Sequence, residues 1–170
     1  ASEVKFLLAE GALRDWDMGG TAQDFYEAGV ITSFEQWDAG SPTNYLNDAT
    51  STPKDHVDPF EPLNNSPARS SITIKWDDAA TDEEKLERII TQKWIALWPD
   101  GAEGWANFRR TGYPKLFPVT ESMNHSNGTI DTEIQIRRAP YPTFEYTNNP
   151  DEVAKGVTLL GGPDHGGTRV

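Results

Sequence analysis

Apolar positions recur at helical spacing in several stretches of this chain and alternate in two others. Val4, Leu7, Leu8 and Ala12 step by three and four, with Ser2 as a candidate N-cap and Glu3 in the first turn. Gly19-Gly20 ends this segment. Thr21, with Asp24 three residues on, opens a second helix along Phe25, Ala28, Ile31, Phe34 and Trp37. Two helices joined by a short Gly-containing link predict an antiparallel hairpin over 2–37. Thr81 and Glu84 form a capping box before Leu86, Ile89, Ile90, Lys93 or Trp94, and Leu97. Pro99-Asp100-Gly101 stops that helix. Another from Glu103 to Arg110 closes at Gly112 and Pro114, giving a second hairpin over 81–114. Pro150 suits the first position of a last helix, Asp151 to Leu160, which ends at Gly161-Gly162-Pro163.

The intervening chain has a different texture. Residues 38–80 are rich in Pro, Asn, Asp, Ser and Thr and predict mostly loop, with one short turn at Asn44 to Leu46. Ile72, Ile74 and Trp76 alternate with Thr73 and Lys75, which predicts a strand. Ile130, Ile134 and Ile136 suggest a second strand to pair with it. The rest of 115–170 reads as extended, with a turn cluster at Asn124 to Gly128 and no element of its own at Thr168-Arg169-Val170. The expected fold is mainly α: helical hairpins, long irregular loops and a few short strands. A length of 170 residues suits one domain or a piece of one.

Composition narrows the function classes. The formal net charge is −12, so the chain repels phosphate backbones, and neither nucleic-acid binding nor docking of a basic patch on anionic lipid is expected. The charge fits an uncharged partner such as a sugar. With no cysteine, disulfides, thiolate metal sites and thiol nucleophiles are all removed. No apolar run approaches the roughly 20 residues that span a bilayer. The opening Ala-Ser-Glu-Val-Lys-Phe-Leu-Leu is too short and acidic for a signal peptide.

Candidate chemistry is sparse. His56, His125 and His165 lie far apart in predicted loops, with no metal-ligand spacing. Asp15-Trp-Asp17-Met-Gly19 resembles the start of a calcium loop, but Tyr26 stands where the bidentate acid belongs. No nucleophile elbow, phosphate loop or dinucleotide fingerprint is present. Carboxylates are plentiful, yet nothing marks out a catalytic pair. No cofactor and no metal are implied. Aromatics are the remaining signal. Trp94, Trp105 and Phe108 fit a core between helices. Arg109 and Arg110 fit a salt bridge and a helix-end cap. Trp37, Tyr45 and Trp76 border the polar loop and are the candidate glycan-facing residues, because flat rings with a polar edge stack on sugars.

Ile89-Ile-Thr-Gln-Lys-Trp-Ile-Ala-Leu-Trp-Pro99, followed by Gly104-Trp-Ala-Asn-Phe-Arg-Arg-Thr-Gly-Tyr-Pro114, closely resembles the SusD/RagB family of Bacteroidetes. Arg137-Arg-Ala-Pro-Tyr-Pro142 and Leu159-Leu-Gly-Gly-Pro-Asp164 are similar to the family's last segments, and Ser2 to Gly20 to one of its tetratricopeptide-like helices. The resemblance implies a largely helical, non-catalytic lipoprotein at the bacterial cell surface, held in the outer membrane. It would capture glycans or other nutrients and deliver them to a SusC-like TonB-dependent transporter. Family members run to several hundred residues, so the expectation is one C-terminal fragment over 1–170. Any membrane attachment would be a lipid anchor absent from this chain. The aromatic run at 92–114 then reads as a scaffold hairpin. Two other readings are a carboxylate-dependent glycoside hydrolase, which needs one acid of raised pKa, and a protein-interaction module using its hairpin as a groove.

Overall fold

The computed structural model describes residues 1–120 and 123–168. Among them are seven α-helices: α1 (Ser2–Leu13), α2 (Ala22–Gln36), α3 (Thr43–Leu46), α4 (Asp82–Ala96), α5 (Gly101–Thr111), α6 (Thr143–Asn148) and α7 (Pro150–Leu160). A 3-10 turn adds Pro62–Asn64. The chain forms two compact units, Ala1–Lys54 with Ala68–Leu116, and Asp55–Pro67 with Phe117–Val170. Arg169 and Val170 lie outside the described residues, and with them the expectation for the chain's end.

Side-chain caps account for the starts of α2, α4 and α5. Thr21 and Asp24 exchange hydrogen bonds at the head of α2, and Thr81 and Glu84 do so at the head of α4, so both capping boxes form. Gly112 and Gly161 close α5 and α7 in the left-handed region, at φ 83° and 68°. Ser2 differs from expectation. It lies inside α1, and its hydroxyl donates to the Gly29 carbonyl at 2.7 Å, tying α1 to α2. Helix α1 also stops at Leu13, well before Gly19-Gly20.

In the first unit, α1 and α2 pack as a hairpin against α4. Its core is Phe6, Ala9, Tyr26, Val30, Trp76, Ile89, Ile90 and Tyr113. The α1 face is rotated from the expected one: Phe6, Ala9 and Glu10 are buried, whereas Val4 and Leu7 are exposed. Gly29 is required by close approach, since a Cβ there would sit 2.8 Å from the Phe6 ring. On the α4–α5 hairpin, Phe108 is buried and Trp94 lies against Gly104. Trp105 departs from the core reading: it is partly exposed, with the Arg109 guanidinium 5.0 Å from its ring.

Neither expected strand forms, because side chains occupy the backbone groups that a ladder would use. The Tyr26 hydroxyl donates to the Ile74 carbonyl at 2.6 Å, and Arg88 Nε donates to the Thr73 carbonyl at 2.9 Å. In the second segment Asn124 Nδ2 donates to the Ile130 carbonyl, Arg137 Nε donates to the Ile134 carbonyl, and Gln135 sits at φ 59°, which breaks an extended run. The described residues hold one isolated bridge, His56 with Ser66.

A charged lattice completes the first unit. Lys93 is 1% exposed, with Nζ 3.0 Å from Glu103, 3.4 Å from Glu3 and 3.2 Å from Asn107 Oδ1. Arg110 donates to both Glu10 oxygens, at 2.6 and 2.7 Å, and Arg14 donates to Glu10 at 2.9 Å. The expected salt bridge of the Arg109–Arg110 pair is therefore Arg110 to Glu10. The expected helix-end cap is not found, because Gly112 closes the helix and Arg109 lies over Trp105.

Burial pushes the Glu10 carboxyl up, but the two arginines outweigh it and hold it below its usual range. The Lys93 ammonium, with Asn107, holds Glu103 down against partial burial. Carboxylates with depressed folded pKa values contribute stability that is present above the unfolded value of 4.5 and is lost as pH falls through the folded values. Thermal unfolding is therefore expected to be nearly level from neutrality down to about pH 5 and to fall steeply below it. A Glu10→Gln variant should start less stable and show a shallower acid limb; an unchanged limb in a melt series would refute the linkage.

The second unit is organised by Asp164. Its carboxylate receives Arg138, the Tyr141 N–H at 2.9 Å and the Tyr146 hydroxyl. Arg138 also stacks over Tyr141 at 5.1 Å, and the Gly166 carbonyl accepts both the Arg137 and the Arg138 N–H. Among the described residues no helix is long and apolar enough to cross a membrane.

Candidate functional site

Trp76 enters the first unit from the loop before α4. Its ring centre lies 5.3 Å from that of Tyr26, and its Nε1 donates to Asp78 Oδ1 at 3.0 Å. The indole is only 8% exposed, but its rim lines a cleft of ≈ 300 Å³. Leu13 and Asp15 reach this cleft from the end of α1, Gln23 from the head of α2, and Asp78 and Lys85 from the approach to α4 and its first turns. Asp15 stands at φ 60°, a left-handed backbone that Asp tolerates better than most residues, where the chain leaves α1.

This lining mixes an apolar ring edge with carboxylates, an amide and one ammonium. Such a mixture suits a polyhydroxylated ligand: apolar C–H faces meet the ring, and hydroxyls find acceptors and donors around it.

The three candidate aromatics are not gathered in one place. Trp37 is the C-cap residue of α2 and is 51% exposed. It lies fourteen residues beyond Gln23, about 21 Å along the helix, and does not line the cleft. Tyr45 is half-buried beside Phe34, at 5.3 Å between ring centres. Its hydroxyl donates to Gln92 at 2.9 Å, which anchors α3 to α4. Burial raises the pKa of that hydroxyl.

Gln23 and Asp78 had no mark in the sequence, and Asp15 stood out only as the start of an incomplete calcium loop. The signals available were the Gly-rich link after α1 and the acidic pair following Trp76, and both read more simply as turn chemistry. In the second unit a cleft of ≈ 440 Å³ is lined by Asn124, Gly128, Ile130, Asp131 and Thr132. It offers polar groups but no ring. Two of the histidines serve local contacts: His56 lies 5.5 Å from Phe117, and His165 Nδ1 accepts the Gly167 N–H at 3.0 Å.

Comparison with known proteins adds to this geometry. A family model described as SusD-like, SusD and RagB outer membrane lipoprotein, matches residues 1–170. A chitin-binding SusD homolog from Flavobacterium johnsoniae is 53% identical, with a TM-score of 0.87 over 99% of this chain and 35% of its own. A SusD homolog from Bacteroides uniformis is also 53% identical, with a TM-score of 0.91 over 100% of this chain and 35% of its own. A SusD-like protein from Bacteroides thetaiotaomicron is 49% identical, with a TM-score of 0.87 over 99% of this chain and 35% of its own. This chain thus spans about a third of the length of these structures. No curated protein matches.

Proposed function

Because this chain belongs to the SusD-like family, we propose that its protein captures glycan at the surface of the outer membrane and passes it, uncleaved, to a SusC-like TonB-dependent transporter. The observation that carries this reading is the family match over residues 1–170, joined to 53% identity with a homolog named for chitin binding. The tetratricopeptide-like hairpins are the scaffold, and the chain is a C-terminal portion of the protein. The run at 92–114 belongs to that scaffold, with Lys93 and Arg110 tied to α1 and Tyr113 to α4.

Two places in the first unit suit sugar contact. Trp37 presents an exposed indole, and the cleft edged by Trp76 presents Asp15, Gln23 and Asp78. Tyr45 takes a supporting part through Gln92. The carboxylates support binding. The described carboxylates with a shifted pKa are shifted down, which keeps them charged acceptors for a ligand's hydroxyls.

One observation favours an added protein-binding role. Trp98 is 74% exposed, and the Trp105–Arg109 stack sits on the same helical hairpin. Trp and Arg are the residue types that dominate protein interfaces. In this reading that face meets a protein such as the transporter.

Native affinity electrophoresis of the full-length protein, through gels containing a panel of polysaccharides with soluble chitin among them, tests the proposal. At least one glycan should retard it. Trp37→Ala should weaken that retardation by roughly threefold to tenfold, the worth of one ring contact. Unchanged mobility of Trp37→Ala would remove that residue from the site. Unchanged mobility of the wild type in every gel would remove the glycan.

A further inference from the structure

We propose that Asn127 is a site of spontaneous deamidation, which turns a neutral turn residue, next in sequence to a residue lining the second unit's cleft, into an acidic one. Asn127-Gly128 is the Asn-Gly pair of this sequence. The reaction needs a peptide nitrogen next to an asparagine side chain, with neither committed elsewhere and no Cβ on the following residue to hinder the approach. All three conditions meet here.

Asn127 and Gly128 are the central residues of a turn closed by the Thr129 N–H donating to the Ser126 carbonyl at 3.1 Å. Both have positive φ, 53° and 79°, the combination that Asn-Gly turns adopt. Both are exposed. Among the described residues neither the Asn127 amide nor the Gly128 N–H has a hydrogen-bond partner. Nothing lies within 4 Å of where a Gly128 Cβ would be.

Four other asparagines and the one aspartate that precedes a glycine are held, and no other asparagine of the chain is followed by glycine. Asn124 uses both ends, donating to the Ile130 carbonyl at 2.7 Å and accepting the Ser126 N–H at 3.1 Å. Asn107 is buried in the Lys93 lattice. Asn64 donates to Asp58 at 2.7 Å, and Asn47 to the Thr43 carbonyl at 2.9 Å. Asp100, which also precedes a glycine, is fixed as a helix cap by the Glu103 N–H at 3.1 Å.

The chemistry balances with water as the only co-reactant. Gly128 N loses its proton to solvent base and bonds to Asn127 Cγ. The Cγ–Nδ2 bond breaks and ammonia leaves, which gives a five-membered succinimide. Water then opens the ring at either carbonyl, producing aspartate or its backbone-shifted isomer. Gly128 and Asp131 both line the cleft of ≈ 440 Å³. The product therefore adds a carboxylate on the residue before Gly128, and the isomer adds a carbon to the main chain leading into that lining residue.

The test is to incubate the folded protein in mildly alkaline buffer and follow the peptide spanning Asn127 by mass spectrometry, beside a urea-unfolded control. The expected result is a gain of about 1 Da on Asn127, with both acid isomers present, in the folded sample. Asn127→Gln should abolish the gain at this position. Gly128→Ala should slow it about tenfold or more. Conversion confined to the unfolded control would show that the turn protects the residue and would overturn the proposal. So would a gain located on another asparagine while Asn127 stays intact.

Discussion

Removing both carboxylates that face Lys93, by Glu3→Gln together with Glu103→Gln, is expected to cost the first unit about 3–5 kcal/mol. Lys93 is the deeply buried member of the group, at 1% exposure, while Glu3 and Glu103 keep 39% and 37%. The cost therefore depends on which partner is removed. Without the carboxylates the ammonium stays in the interior with Asn107 as its remaining contact. Without the ammonium, as in Lys93→Met, the glutamates turn to water, and the four-carbon stem is replaced by an apolar chain of similar reach. Lys93→Met should cost clearly less than the double glutamine variant. The double variant can also relieve itself by releasing the lysine proton. An unpaired buried ammonium that can shed its proton destabilises less as pH rises, so the stability of the double variant should rise with pH toward the alkaline range. Urea unfolding at several pH values checks both points. Equal losses in the two variants would mean that the pairing carries little of the stability.

Tyr26→Ala is expected to cost about 3–5 kcal/mol, the range for deleting a large buried ring. Tyr26 has no exposed surface, and its ring meets Phe6 at 6.2 Å and Trp76 at 5.3 Å. It is also the side chain that turns Ile72 to Trp76 away from a strand, by bonding the Ile74 carbonyl. Tyr26→Phe isolates that second role. It keeps the ring and strands a carbonyl, and should cost about 1–3 kcal/mol. If Tyr26→Phe is neutral, water reaches Ile74 and the bond does not hold the segment.

Those two sites show what the sequence could and could not disclose. Thr21 with Asp24, Thr81 with Glu84, Pro150 and the closing glycines act within one helical turn, so the helices were legible from local spacing. The inner face of α1 was not. Its buried set includes Glu10, which stays charged inside because of Arg14, and because of Arg110 a hundred positions away. The alternation at Ile72 to Trp76 is real, but it packs an irregular segment whose backbone is bonded by distant side chains. The candidate site divides in the same way. An exposed Trp37 and a boundary Trp76 could be read from composition and position. The cleft at Trp76 depends on the angle at which the α1–α2 link meets the approach to α4, and no spacing rule encodes that angle. The helical hairpins, and with them the family, were readable because they rest on a long run of local signals in order.

The most direct measurement of the central claim is calorimetric titration of the full-length protein with chitin oligosaccharides and a panel of other glycans, assaying the same mixtures for new reducing ends. Saturable binding to at least one glycan with no rise in reducing ends is the result expected of a capture protein. Reducing ends released in proportion to protein would contradict it and point to hydrolysis, and the absence of binding across the panel would contradict the glycan itself.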